Sequence, residues 1–120
     1  MSQENINITA AAAKVTASAN GAAVAPTYAF SKGFNSTGAF GAAAGNGGTH
    51  TAAGVYVLVL DTPIDAANSG VIVTPLNNTL GANASAKITA AQNVTVSVDL
   101  AGVASDAVDF YVEVKQMPNT

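Results

Sequence analysis

Residues Gly54 to Pro63 read GVYVLVLDTP, and the fold depends on what this stretch forms. Val55, Tyr56, Val57, Leu58, Val59 and Leu60 follow one another without a polar interruption, and β-branched or aromatic side chains fill most of the run. The run is short for a globular helix. Gly54 before it and Asp61-Thr62-Pro63 after it are chain-turning residues, so it predicts one extended strand. Side chains on a strand alternate between faces, which puts Val55, Val57 and Val59 on one side and Tyr56, Leu58 and Leu60 on the other. Both sides are apolar. Such a strand needs cover on both faces, from the centre of a sandwich or from another subunit.

Outward from this strand the chain repeats short extended segments. On the C-terminal side, Gly70 to Pro75 and Ala84 to Ala90 read as strands separated by the turn-rich Leu76 to Asn83. Val94, Val96, Val98 and Leu100 then alternate with Thr95, Ser97 and Asp99, the pattern of a half-exposed antiparallel strand. Ala101 to Ser105 reads as a loop. Val108, Phe110, Val112 and Val114 alternate with Asp109, Tyr111, Glu113 and Lys115 to close the domain. On the N-terminal side, Ile6 to Ala19 mixes a helix-favouring alanine run with strand-favouring Ile, Val and Thr, and reads as extended. Asn20-Gly21 signals a hairpin turn, with Ala22 to Phe30 returning as a strand whose Pro26 suits an edge or a bulge. Lys32 to Ala53, rich in glycine, shows the least regular structure; it is an ordered or a mobile surface loop.

These elements predict an all-β fold, an antiparallel β-sandwich with an N-terminal extended arm. Residues 1–13 are the arm or the first strand, 14–116 the sandwich, and 117–120 a tail. The expected core is Val57, Leu58, Val59, Val96, Val98, Phe110 and Val112.

A chain of 120 residues makes one domain at most. Its hydrophobic fraction of 49% overstates the core, because much of it is alanine and only 6% of residues are aromatic. Burial at about 25 cal/mol per Å² therefore yields less per residue than in a Leu- and Phe-rich domain, and subunit contacts are expected to help. Charged residues are 9%, against roughly a quarter in ordinary domains. That scarcity suits a surface packed in an assembly. The net charge of -3 argues against nucleic-acid binding and against a polybasic membrane signal. No apolar run is long enough for membrane insertion as a spanning helix. MSQENINITAAAAKV lacks the basic start and apolar region of a secretory signal, so synthesis in a host cytoplasm is expected.

No residue set reads as catalytic. The chain has no Cys, which removes thiolate chemistry and disulfides. His50, the single histidine, falls in a Gly/Thr-rich stretch without a second ligand of its kind. Asp61 with Asp65, and Asp106 with Asp109, are the closest approach to paired carboxylates. Asp in such places is more often a turn or cap residue than a Ca²⁺ ligand or general acid. No phosphate-binding glycine motif occurs. Tyr28, Tyr56 and Tyr111 can stack on sugars or pack in a core. Catalytic, metal and cofactor sites are accordingly expected to be absent.

AKVTASANG (Ala13 to Gly21), FSKGFNSTGAF (Phe30 to Phe40), GVYVLVLDTPI (Gly54 to Ile64), VIVTP and the DAVDFYVEV ending fall in an order that resembles a β-sandwich module at the ends of bacteriophage fibre proteins. Where that module's opening strand carries Trp and Phe, this chain has Thr16 and Ala19, and its Gly/Ala insertion at 41–53 is long. The resemblance implies a small jelly-roll-like sandwich that trimerises in a virion. A chain opening at Met1 without a shaft is more similar to a capsid decoration, or cement, protein. The expected partners are then two further copies in a homotrimer and the major capsid protein, on the capsid exterior. Asn5, Ile6, Asn7, Ile8 and Thr9 would form a capsid-contacting arm. The alternative is a fibre or spike tip that binds a host surface receptor or glycan.

Overall fold

The computed structural model of the chain describes residues 8–22, 24–35, 47–76 and 81–117. Among these the strands are β1 (Ile8–Thr16), β2 (Thr27–Lys32), β3 (Thr49–Ala52), β4 (Val55–Val59), β5 (Ser69–Pro75), β6 (Ala82–Ala90), β7 (Asn93–Leu100), β8 (Val103–Ala104) and β9 (Phe110–Gln116). One 3₁₀ turn, Ala66–Asn68, precedes β5. Every strand pairing is antiparallel. The first sheet is four-stranded in the order β2-β1-β9-β5; the second runs β3-β4-β7-β6, with β8 also paired to β7. The fold is an all-β sandwich of two antiparallel sheets.

Period-two alternation fills the space between the sheets. Tyr56, Leu58, Leu60, Val94, Val96 and Val98 enter it from the second sheet; Ala11, Ala13, Val15, Phe110, Val112 and Val114 enter from the first. Phe34, Ile64 and Val108 complete the buried cluster. Tyr56 meets the edge of Phe110 at 5.0 Å between ring centroids, a favoured aromatic geometry.

Five of the seven expected core residues, Leu58, Val96, Val98, Phe110 and Val112, are buried here. Val57 and Val59 are not. With Val55 they occupy the outer face of β4 and remain partly exposed. One sandwich has one interior, so a strand apolar on both sides leaves one side uncovered by its own chain.

The N-terminal segment also differs from an arm. Ile8 and Thr9 begin β1, where they pair with Gln116 and Lys115 of β9. β1 lies between β2 and β9, an interior position in its sheet. Asn5, Ile6 and Asn7 lie outside the described residues.

Asn20-Gly21 does not make a tight hairpin. β1 and β2 do pair, from Thr16 opposite Thr27, but a long connection joins them. Its polar groups bond elsewhere: Asn20 to Asp106, and the Gly21 N–H to the His50 carbonyl at 3.0 Å. Tertiary partners outcompete the local turn signal. Part of the glycine-rich region is also ordered into β3, whose His50 is fully buried.

A two-residue hairpin instead joins β7 to β8 through Ala101 and Gly102, with Leu100 opposite Val103. Both turn residues have positive φ, 54° and 87°, as a type I′ turn requires. Alanine resists this conformation and asparagine tolerates it. Ala101→Asn should therefore stabilise the protein by about 1 kcal/mol. A denaturant midpoint that does not rise would count against that origin of strain.

Candidate functional site

The densest polar arrangement lies at one end of the sandwich, around His50. The backbone alternation of β3 turns this side chain inward between partly exposed Thr49 and exposed Thr51. Its ring lies flat on Tyr56, with centroids 3.8 Å apart and planes 7° apart. Nδ1 stands 2.8 Å from the Val55 carbonyl oxygen. Nε2 stands 2.9 Å from the Ser18 carbonyl oxygen and 3.1 Å from Asp106 Oδ1.

Asp106 ties this end together. Its Oδ1 accepts the Gly54 N–H at 2.8 Å, and its Oδ2 accepts the Asn20 side-chain amide at 2.6 Å. Gly54 has φ of 69°, and a Cβ there would meet the Val98 carbonyl oxygen at 2.3 Å. Only glycine presents its N–H to Asp106 in this position without strain and overlap. Partial burial acts to raise the Asp106 carboxyl, but the Gly54 N–H, the Asn20 side chain, the charge of His50 and the Asn20 N–H together hold it below its ordinary value. Burial first, then the charges of Asp106 and Asp109, push the Tyr56 hydroxyl up to about 12.

The arrangement brings Ser18, His50 and Asp106 together but does not align them for acyl transfer. A hydrolase relay needs a hydroxyl at one imidazole nitrogen and a carboxylate at the other. Here the Ser18 carbonyl and the carboxylate share Nε2, and a second carbonyl holds Nδ1. The flanking threonines of His50 were the local sign of a strand; nothing local pointed to Ser18, Val55 or Asp106 as its partners.

The other acidic residues have structural partners. Asp65 caps the 3₁₀ turn, accepting the Ala67 N–H at 3.2 Å and the Asn68 side-chain amide at 2.9 Å. Asp109 accepts the Ala17 N–H at 2.6 Å. Among the described residues no three His, Cys, Asp or Glu side chains stand together as a metal centre would need.

The three tyrosines separate by environment. Tyr56 is in the core. Tyr28 is half-buried, stacks with Phe34 and donates to the Gly47 carbonyl at 3.0 Å. Tyr111 is on the outer face of the first sheet, near Phe30, with ring centroids 6.4 Å apart. Lys14 of β1 pairs in register with both of them, and Phe30 is 52% exposed.

The outer face of the second sheet is different in kind. Val55, Val57 and Val59 form a ladder there. Ser97, Thr95 and Asn93 of β7 pair across from them, and Thr49 of β3 pairs with Val57 on the other side. Ser85 and Lys87 of β6 extend the same rows, and a shallow depression beside them is lined by Ser85, Lys87, Thr89, Thr95 and Ser97. No protein-family model, curated protein or solved structure matches this chain.

Proposed function

We propose that this chain is a structural protein of a bacteriophage virion: a homotrimeric capsid decoration, or cement, protein. It sits on the capsid exterior and stabilises the head by bridging subunits of the major capsid protein. The observation that supports the reading best is the outer ladder of Val55, Val57 and Val59, apolar, and bordered by hydroxyl and amide side chains. A surface of this kind gains by contact with another protein and loses little to charge desolvation. On this reading copies of the chain cover each other's β4 face, and the sandwich is jelly-roll-like. The mechanism is contact alone and asks for no catalytic residue, metal or cofactor.

Val57→Glu tests the copy-to-copy part. The position is partly exposed, so the sandwich has room for the longer side chain. An unpaired carboxylate in the interface would cost about 3 kcal/mol, roughly a hundredfold in association. Sedimentation should show three copies per particle for the wild type and a folded monomer for the variant. A wild-type monomer at micromolar concentration would overturn the trimer. Electron microscopy of intact virions tests the location: density over the capsid lattice is expected, and density only at the tail would overturn the cement reading.

Such tail density would favour the second reading, a receptor-binding tip. Its support is the exposed Phe30 beside Tyr111 on the outer face of the first sheet. Aromatic rings there, with Lys14 in register between them, suit stacking against a sugar of a host surface glycan.

A further inference from the structure

The oxygens around His50 constrain its protons. A carbonyl oxygen accepts hydrogen bonds and cannot donate them. The Val55 carbonyl at 2.8 Å therefore calls for a proton on Nδ1, and the Ser18 carbonyl at 2.9 Å calls for one on Nε2. Neutral imidazole carries a single N–H. In either neutral tautomer one bare nitrogen would face a carbonyl oxygen at hydrogen-bonding distance, in a side chain with 0% exposure. Such a buried lone-pair contact is costly. The doubly protonated ring removes it, and Asp106 Oδ1 at 3.1 Å supplies the opposite charge. That carboxylate stays ionised because the Gly54 N–H and Asn20 also bond to it.

We propose that His50 is a buried imidazolium that forms, with Asp106, a pH-released clasp joining β3 and β4 to the β1–β2 and β8–β9 connections. The clasp holds Ser18 and Asn20 from the first connection, Gly54 and Val55 from the start of β4, and Asp106 from the second connection. The titratable groups facing the ring come from two of these elements. β4 contributes Tyr56, stacked on it and neutral, since its hydroxyl is pushed up to about 12 by burial and then by the Asp106 charge. The β8–β9 connection contributes Asp106 and, farther off, Asp109, which is bonded to the Ala17 N–H. β3 itself and residues 17–22 carry no other ionisable side chain.

The two halves of the clasp titrate in opposite senses. The His50 share of stability is present while the ring keeps its second proton, and is lost as pH rises and that proton leaves. The Asp106 share is present above the ordinary carboxylate range, and is lost as pH falls through the lowered folded-state value. Alkali therefore loosens this end of the sandwich before the rest, because the connections lose a buried tie while the strand ladders keep theirs.

The single histidine makes the test direct, since ¹⁵N-histidine labelling places one imidazole in the spectrum of the full chain. At neutral pH both ring nitrogens should carry protons. As pH is raised, one proton should leave, and amide exchange at Asn20, Gly21 and Gly54 should accelerate relative to a core amide such as that of Val96. Asp106→Asn should make the ring lose its second proton at lower pH than in the wild type. A bare ring nitrogen at neutral pH would overturn the proposal, as would ring deprotonation with no relative change in those amides. An unshifted ring titration in folded Asp106→Asn would overturn the pairing. If that variant does not fold, the wild-type spectra alone decide.

Discussion

Removal of residues 2–13 should leave a chain that does not fold. The cut takes all of β1 up to Ala13, and β1 is the strand between β2 and β9. Its loss strips β9 of its ladder on that side, from Ile8 opposite Gln116 through Ala13 opposite Val112, and leaves most of β2 without a partner. Buried backbone N–H and C=O groups left unpaired cost about 1–3 kcal/mol each. Several such losses exceed the whole stability of an ordinary domain, about 5–15 kcal/mol. Ala11 and Ala13 also leave the core. Circular dichroism and a thermal melt check this: a cooperative transition in the truncated chain would show that β1 is dispensable. Removal of residues 2–7 leaves every described strand whole, so a capsid-binding assay with that shorter truncation is the proper test of a contact arm.

Phe110→Ala should destabilise the protein by about 3–5 kcal/mol. Phe110 is fully buried at the start of β9, opposite Val15 on one side and Pro75 on the other. Its ring takes the edge contact with Tyr56, which in turn lies flat on His50. Truncation leaves a cavity between the two sheets, and the aromatic stack over the histidine loses its support. Urea unfolding should show a lower midpoint with the same slope, the sign of lost stability without a change in the surface exposed on unfolding. An unchanged midpoint would mean that the site collapses around the alanine without loss, contrary to the close packing of sandwich interiors.

The strands that carry the core were legible where their alternation was clean. β7, with Val94, Val96 and Val98 against Thr95 and Ser97, and β9, with Phe110, Val112 and Val114 against Tyr111, Glu113 and Lys115, lie as their spacing predicts. A period of two is local: each side chain's direction follows from its neighbours on the same strand. β8 was too short to leave such a pattern, and β3 was obscured by the glycines before it. Nor did Asn20-Gly21 act as its local chemistry suggests, because Asp106 and the His50 carbonyl supply bonds that a hairpin turn would otherwise make internally.

By itself, then, the sequence determined an all-β chain, the inward sets of β7 and β9, and a central strand at Val55–Val59, since all of these rest on local alternation and on β-branched side chains. Only the tertiary structure decided which face of β4 is inside. With apolar residues on both sides, the pattern is symmetric, and the choice of Tyr56, Leu58 and Leu60 over the valines comes from where the first sheet lies. The same holds for His50. Its surroundings come from Ser18, Val55 and Asp106, which chain order keeps apart and which only the approach of two connections to the end of the sandwich brings within hydrogen-bonding distance of one ring.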